Sequence, residues 1–420
     1  MLDIKFIKEN PDIIKEAVKK KHIKFDVDEL LKVESERIEH LLLVESLRAE
    51  QNEITKKISL TTDNVMREQL IMEMRTFKDH LKEKEDKLTE VMKAWRALMV
   101  QVPNVPDMSV PEGGSDEENL EVFKWGEIPT FPFAPKDHIE LMEKLDLADF
   151  ERGVKVAGFR GYFLKNEGAL LSFALWQYFI DEIVKKGFTP MIAPSLVKKE
   201  PLYGTGFLPQ GEEDLYKTQD ETYLAGTAEV ATMGYYMDEI LQQSDLPKKF
   251  ISFSTCFRRE AGSYSKDVKG LVRVHEFFKV EQVILCEASH EESVKFHEEL
   301  TKNTEDLLQA LNLPYRKVVN CGGDLGLGQV KKYDLEVWVP AQGKYRETHS
   351  ASYFHDFQTR RLNIRYKDEE GKIRYVHSLN NTAVATPRII ASIIENYQQA
   401  DGSIKVPAVL QKYLGKEIIK

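Results

Sequence analysis

Cysteine is scarce in this chain. Only Cys256, Cys286 and Cys321 occur in 420 residues, and no two stand at zinc-finger spacing. Neither a disulfide framework nor a structural zinc site is expected. No apolar run reaches the roughly 20 residues that cross a bilayer, so no membrane partner is expected. The opening Met1-Leu2-Asp3-Ile4-Lys5 lacks both the apolar core of a signal peptide and the arginine-rich character of a transit peptide. The expected location is the cytoplasm. A basic excess is missing too, the formal net charge being -10. That argues against a protein that coats nucleic acid non-specifically, and leaves room for a local basic groove. The remaining composition, 42% hydrophobic and 30% charged, suits a soluble protein long enough for two or three domains.

Glycine and proline are absent from Asp28 to Val100, where charge of both signs is dense. Before this stretch, Asn10-Pro11-Asp12 starts a short helix expected to reach about Lys20. A break at Ser59-Leu60-Thr61-Thr62-Asp63-Asn64 divides the stretch in two. After it, Leu70, Met74, Phe77, Leu81, Leu88, Val91, Trp95 and Leu98 recur at spacings of three and four, with Lys84 the one polar intruder. Before it the pattern is looser: Leu31, Ile38, Leu41, Leu42, Val44, Leu47, Ile54 and Ile58. Two helices of about thirty residues make an antiparallel hairpin roughly 45 Å long. Periodicity alone favours a dimerising coiled coil, but a hairpin with its own turn closes its seam within one chain and projects as an arm. Arg48, Asn52, Thr55, Lys56 and Lys57 lie on its tip side, balanced locally by Glu50 and Glu53. Val102-Pro103-Asn104-Val105-Pro106 and Pro111-Glu112-Gly113-Gly114 then mark a linker. The expected divisions are residues 1–102 with the arm at about 28–100, a linker at 103–135, and a second domain at 136–420.

Phe250 to Leu285 reads as a strand, a loop and a second strand. Ile251, Phe253 and Phe257 alternate with Ser252, Ser254, Cys256 and Arg258, so Arg258 ends a face of small side chains with open space before it. In the second strand Arg273, His275, Phe277, Lys279 and Glu281 share one face, and Val272, Val274, Phe278, Val280 and Ile284 fall mostly on the other. Arginine forks bind phosphate or carboxylate oxygens in pairs, an aromatic face accepts a flat heterocycle, and a carboxylate holds an ammonium or hydroxyl. The set suits a nucleoside triphosphate beside a small amino-bearing molecule.

Further along, Thr227 fits a helix N-cap before Glu229. Cys321-Gly322-Gly323-Asp324-Leu325-Gly326 is glycine-rich without P-loop spacing and reads as a tight turn near the pocket. Tyr333 to Trp338 reads as a core strand. Thr386 fits an N-cap and Pro387 the first helical position, which puts Arg388 beside a positive helix terminus, a natural anion site.

These motifs resemble the class II aminoacyl-tRNA synthetases, in detail the seryl-tRNA synthetase family of bacterial type. Phe257-Arg258-Arg259-Glu260-Ala261-Gly262 with Val274 to Glu281 is similar to motif 2, Gly187 to Pro194 to motif 1, and Leu379 to Ile390 to motif 3. Tyr203-Gly204-Thr205-Gly206-Phe207-Leu208-Pro209, Thr227-Ala228-Glu229, Glu347-Thr348-His349-Ser350 and Asp356-Phe357-Gln358-Thr359-Arg360-Arg361 match further family segments in the right order. The chain departs from the commonest bacterial form of motif 3 with Asn381, Thr382 and Ala383, and Thr382 keeps the hydroxyl.

The resemblance implies an α+β fold, a helical hairpin arm plus an antiparallel sheet flanked by helices. It implies ATP-dependent attachment of L-serine to tRNA(Ser) through a seryl-adenylate, extended to tRNA(Sec) where that tRNA exists. Arg258, Arg388 and Glu347 would be catalytic. ATP would be held by Arg258, Arg259, Glu260, Arg273, Val274, Phe277, Glu347, Thr348, His349, Ser350 and Arg388, with Mg2+ on Glu347 and Ser350. Serine would meet Thr227, Ala228, Glu229, Arg258, Glu281, Asn380 and Thr382. Arg48, Asn52, Lys56 and Lys57 would touch tRNA, and motif 1 would build a homodimer. Two rivals are a ligase that loads an amino acid on a carrier protein, which would lack the arm, and a non-catalytic paralogue, which would have lost an arginine or Glu281.

Overall fold

The computed structural model describes residues 1–262 and 267–420. Ser263 and Tyr264, expected in the loop of the ribbon, lie outside the described residues. The chain divides into two compact units. One comprises Leu2–Lys19 and Ile23–Pro103; the other comprises Met1, Lys20–His22 and Asn104–Lys420.

In the first unit, α1 (Pro11–Lys20) precedes the hairpin of α2 (Val27–Leu60) and α3 (Asn64–Met99). Asp26 caps α2 by accepting from Asp28 and Glu29, and Asp63 caps α3 by accepting from the Met66 N–H at 2.9 Å. Each long helix therefore starts at a side chain that satisfies its free amides. With 34 and 36 residues, both run about 50 Å. Arg37 lies over Trp95, and Arg48 pairs with Glu85 at 2.7 Å. Those pairings progress in opposite directions along the two helices, as an antiparallel hairpin requires. Val44, Leu47 and Leu81 form a buried cluster with Phe77 and Leu88. All the expected seam positions of α3 are buried or half-buried. Leu42 is the correction, 59% exposed, because it lies a helical step off the stripe that Leu41 and Val44 share.

The second unit is built on an eight-stranded sheet. Its strands are β1 (Leu120–Trp125), β2 (Thr189–Ile192), β3 (Lys248–Phe257), β4 (Glu276–Cys286), β5 (Tyr315–Val319), β6 (Lys331–Val339), β7 (Lys344–His355) and β8 (His377–Ala385). The order is β1-β5-β6-β7-β8-β4-β3-β2, antiparallel except for β2, which runs parallel to β3. β1 lies inside the stretch read as a linker. Helices α4 (His138–Lys144), α5 (Asn166–Val184), α7 (His290–Ala310) and α9 (Thr386–Asn396) cover one face, in a core with Ile251, Val280, Ile284, Tyr353, Leu379 and Val384. Alternation sends Ser252, Lys279, Glu281, Ser350, Ser352, Asn380 and Thr382 to the other face.

That other face also carries α6 (Ala228–Gly234) and α8 (Phe357–Leu362). Thr232 of α6 donates to the Ser252 hydroxyl at 2.8 Å, and Ser252, Ser254 and Cys256 are all buried. The expected space before the small side chains is thus filled. They are small because a helix packs on them, and Arg258 lies beyond its end. At α9 the N-cap position is Ala385, and the Thr386 hydroxyl accepts from the Trp176 indole N–H at 2.6 Å instead of capping the helix. Among the described residues, no helix is long and apolar enough to cross a membrane.

Candidate active site

A cleft of about 440 Å³ opens on the polar face of the sheet. β4 supplies Phe277, Lys279 and Glu281; β7 supplies Glu347, Thr348, Ser350 and Ser352; β8 supplies Asn380 and Thr382. Arg258 lies just past β3, and Arg388 sits in the first turn of α9.

Two irregularities in the sheet make this convergence possible. Glu347 and Ser350 are three residues apart, so a regular strand would turn them to opposite faces. Leu335 pairs with His349 and Glu336 with Glu347, leaving Thr348 as an extra residue in β7. The bulge brings both side chains to the cleft. Likewise Val280 pairs with Val384 and Glu281 with Thr382, leaving Ala383 as the extra residue of β8.

At one end of the cleft the charges are arranged for an anion. Arg388 donates to the Val272 carbonyl at 3.1 Å and the Glu347 carbonyl at 2.8 Å, and lies 3.3 Å from the Glu347 carboxylate. Desolvation would raise the Glu347 pKa, but the charges of Arg388, Lys332 and Arg258 outweigh it and hold that carboxyl below its usual range. Arg258 donates to the Gly226 carbonyl at 3.4 Å, and its guanidinium lies 5.5 Å from the Phe277 ring centre. Arg273 is paired with Glu260 and lies 4.0 Å from Asp267. Lys332 is 3.0 Å from Asp334; the carboxylates of Asp334, Glu347 and Asp324 outweigh its desolvation and keep it charged.

The other end is polar and enclosed. Thr382 donates to Glu281 at 3.2 Å, and Lys279 lies 2.6 Å from the same carboxylate oxygen. Thr227 caps α6 by accepting from the Glu229 N–H at 3.2 Å and also lines the cleft. The Glu229 carboxylate accepts from Gln358 at 2.7 Å, and burial, with Glu281 nearby, pushes its pKa up to about 7.

The structure departs from expectation at several positions. β4 begins at Glu276, so the alternation does not extend back to Arg273 and His275. Val272, Arg273 and Val274 all line the cleft, while His275 is turned away and bonds the Arg258 carbonyl. Arg259 is exposed outside the cleft, its N–H donating to the Asp214 carbonyl at 2.9 Å. Ala228 is the buried first residue of α6 and does not line the cleft. His349 lies on the helix-covered face, buried and held neutral by desolvation with a pKa of about 3. Tyr203-Gly204-Thr205 forms the end of a helix, Lys199–Thr205, closed by left-handed Gly206. Gly204 is required there, because a Cβ would stand 2.2 Å from the Leu362 side chain.

Three participants were not assigned roles from sequence. Lys279 was legible on the alternating face, but Lys332 reaches the cleft, and Gln358 reaches the cleft residue Glu229, through tertiary packing. A fourth, His138, accepts from the Leu271 N–H at 3.2 Å through Nε2 and bonds Glu395 at 2.8 Å through Nδ1. It fastens the segment leading to Val272 and Arg273 onto α9. In the arm, Arg48 is tied to Glu85, and Asn52, Lys56 and Lys57 are exposed. Among the described residues, no group of three or more His, Cys, Asp or Glu is placed to hold a metal ion. Magnesium does not need one, since it commonly takes one or two protein oxygens together with substrate phosphates and water.

Comparison with known proteins agrees with this geometry. The family described as "Seryl-tRNA synthetase N-terminal domain" matches residues 1–106, and "tRNA synthetase class II core domain (G, H, P, S and T)" matches residues 213–397. A serine–tRNA ligase of Deinococcus radiodurans is 46% identical over 416 residues, covering 99% of this chain and 98% of that protein. One from Thermodesulfovibrio yellowstonii is 43% identical over the full length of both. The crystal structure of a seryl-tRNA synthetase from Pyrococcus horikoshii complexed with ATP superposes with a TM-score of 0.90 at 40% identity, covering 100% of this chain and 99% of that one.

Proposed function

The chain belongs to the seryl-tRNA synthetase family, the serine–tRNA ligases of class II, and on that premise we propose that it charges tRNA(Ser) in two steps through a seryl-adenylate. In the first, the serine carboxylate attacks the α-phosphorus of ATP and pyrophosphate leaves. In the second, the terminal ribose hydroxyl of the tRNA attacks the acyl carbon and AMP leaves. The first nucleophile is already ionised, so no strong base is needed. Catalysis is positioning and charge neutralisation.

Arg258 grips the α-phosphate and the serine carboxylate, and Arg388, beside the N-terminus of α9, takes the γ-phosphate. Phe277 stacks the adenine, with Glu260, Arg273 and Val274 around it. Glu347 and Ser350 fit a magnesium site, a depressed carboxylate and a hydroxyl turned to one cleft by the Thr348 bulge. Magnesium bound there supplies charge neutralisation at the phosphates. Glu281 and Thr382 bind the serine hydroxyl, while Thr227, Glu229 and Asn380 surround the amino group.

One observation carries this assignment: the Thr382–Glu281 pair shares a cleft with Arg258 and Arg388. A pocket built to hydrogen-bond a hydroxyl rejects alanine, because its polar groups would go unpaired. ATP–pyrophosphate exchange, run without tRNA against all twenty amino acids, tests it. Exchange with serine alone is expected; exchange with another amino acid, or with none, overturns it.

Residues 1–102 serve as the tRNA-binding domain, with residues 136–420 as the catalytic domain, and Arg48, Asn52, Lys56 and Lys57 contact the long arm of the tRNA. The same transfer extends to tRNA(Sec) where that tRNA exists. The enzyme works in the cytoplasm, where tRNA is charged. It pairs as a homodimer through motif 1, in which Ile192 is an exposed large hydrophobic. Sedimentation at the mass of two chains is the expected result.

A further inference from the structure

The segment Gly326–Gln329 forms one wall of the cleft without regular secondary structure. Its main-chain carbonyls are all taken up by two residues remote in sequence. Lys21 Nζ donates to the carbonyls of Gly326, Leu327 and Gln329 at 3.0, 2.9 and 2.6 Å. The Asn104 side chain donates to the Gly328 carbonyl at 3.0 Å and the Phe354 carbonyl at 2.8 Å, and the Asn104 N–H donates to Leu327 at 2.9 Å. Both side chains are almost wholly buried.

A lysine ammonium has three donors and no acceptor, and here three carbonyls meet all three. No carboxylate accompanies it among the described residues, so burial pulls its pKa down to about 7. A buried, unpaired lysine is an expensive way to hold a loop, and an apolar residue would suffice if filling space were all that was needed. What it does, beyond filling space, is fix the direction of three peptide groups at once.

The wall so fixed faces the enclosed end of the cleft. Gln329 ties it across by donating to Ser352 at 2.8 Å and accepting from the Gly326 N–H at 2.6 Å. Ser352 stands opposite Asn380 in the β7–β8 register. The two fasteners also flank the arm in sequence: residues 23–103 belong to the other unit, and Lys21 and Asn104 lie just outside that insertion.

We propose that Lys21 and Asn104 are positioning residues for serine binding, setting the wall Gly326–Gln329 against the Asn380 end of the cleft from the two chain segments that flank the arm. The inference rests on that end being the serine site. Because the wall is tied to β7 at Ser352, five residues along that strand from Glu347, loosening it selects between the two substrates: serine binding weakens and ATP binding does not.

The test is ATP–pyrophosphate exchange with the full chain, wild type against Lys21→Met and Asn104→Ala, titrating serine and ATP separately. The expected result is a serine KM raised fivefold or more in each variant, with the ATP KM within twofold of wild type. Asn104→Ala keeps all three Lys21 bonds, so it decides the matter if Lys21→Met does not fold. An unchanged serine KM, or equal rises in both KM values, overturns the positioning role. The wild-type titration keeps the two claims apart, since a wild type that exchanges no serine overturns the serine site itself, whatever the variants do.

Discussion

Thr382 and Glu281 face each other across β8 and β4, the threonine hydroxyl donating to the carboxylate at 3.2 Å. They meet because Ala383 bulges out of β8 and because Gln282 and Asn381, the next residue on the helix side of each strand, are locked together. Gln282 donates to Asn381 at 2.5 Å, and Asn303 and Thr304 of α7 complete that network at 2.8 and 2.6 Å. A buried polar network with every member satisfied fixes register more firmly than apolar contacts do. The Thr382–Glu281 pair on one face is thus held by side chains on the other.

Thr382→Val should leave Glu281 with one partner fewer. The serine KM should rise about tenfold to a hundredfold, the effect of roughly 1.4–2.7 kcal/mol of lost hydrogen bonding to a charged group. Thr382→Ser should stay within a few-fold of wild type. Equal KM values for wild type and Thr382→Val in the exchange assay would remove Thr382 from serine recognition.

Arg258 lines the cleft with its guanidinium above Phe277. Arg258→Ala should lower kcat/KM of adenylation roughly a thousandfold, about 4 kcal/mol of transition-state stabilisation. Near-normal turnover in steady-state kinetics would defeat the role.

Glu229 should give the enzyme a pH signature. Its folded pKa is raised from 4.5 to about 7, so between those values the folded chain binds more proton than the unfolded one. Stability from this group therefore falls as pH rises through that window. Glu229→Gln, which cannot ionise, should gain in Tm relative to wild type between pH 5 and pH 7.5. A constant difference in Tm across that range would mean that Glu229 titrates normally.

Removing residues 30–98 should spare ATP–pyrophosphate exchange and abolish tRNA charging. The hairpin closes its seam through Val44, Leu47, Phe77, Leu81 and Leu88, all within its own unit. Unimpaired charging by the deletion would sink the tRNA-binding role of the arm.

Two periodicities carried most of what could be read from the chain alone. Spacings of three and four placed the α3 seam, and alternation put Phe277, Lys279 and Glu281 on one face, because helix and strand geometry repeat along the backbone without reference to anything distant. The resemblance of the motifs then put Glu347 and Ser350 together, which alternation would have separated, and both line the cleft. What only the tertiary structure decided lies where that repeat breaks or where partners are remote. The bulges at Thr348 and Ala383 change which side chains face the cleft, and a bulge depends on the neighbouring strand's register. α6 fills the space before Ser252, and His349 is turned into the core while its neighbour two residues back faces the cleft. Lys21 and Gly326 lie 305 residues apart in sequence yet stand 3.0 Å apart in space, a contact set by how the chain packs and by no local pattern of residues.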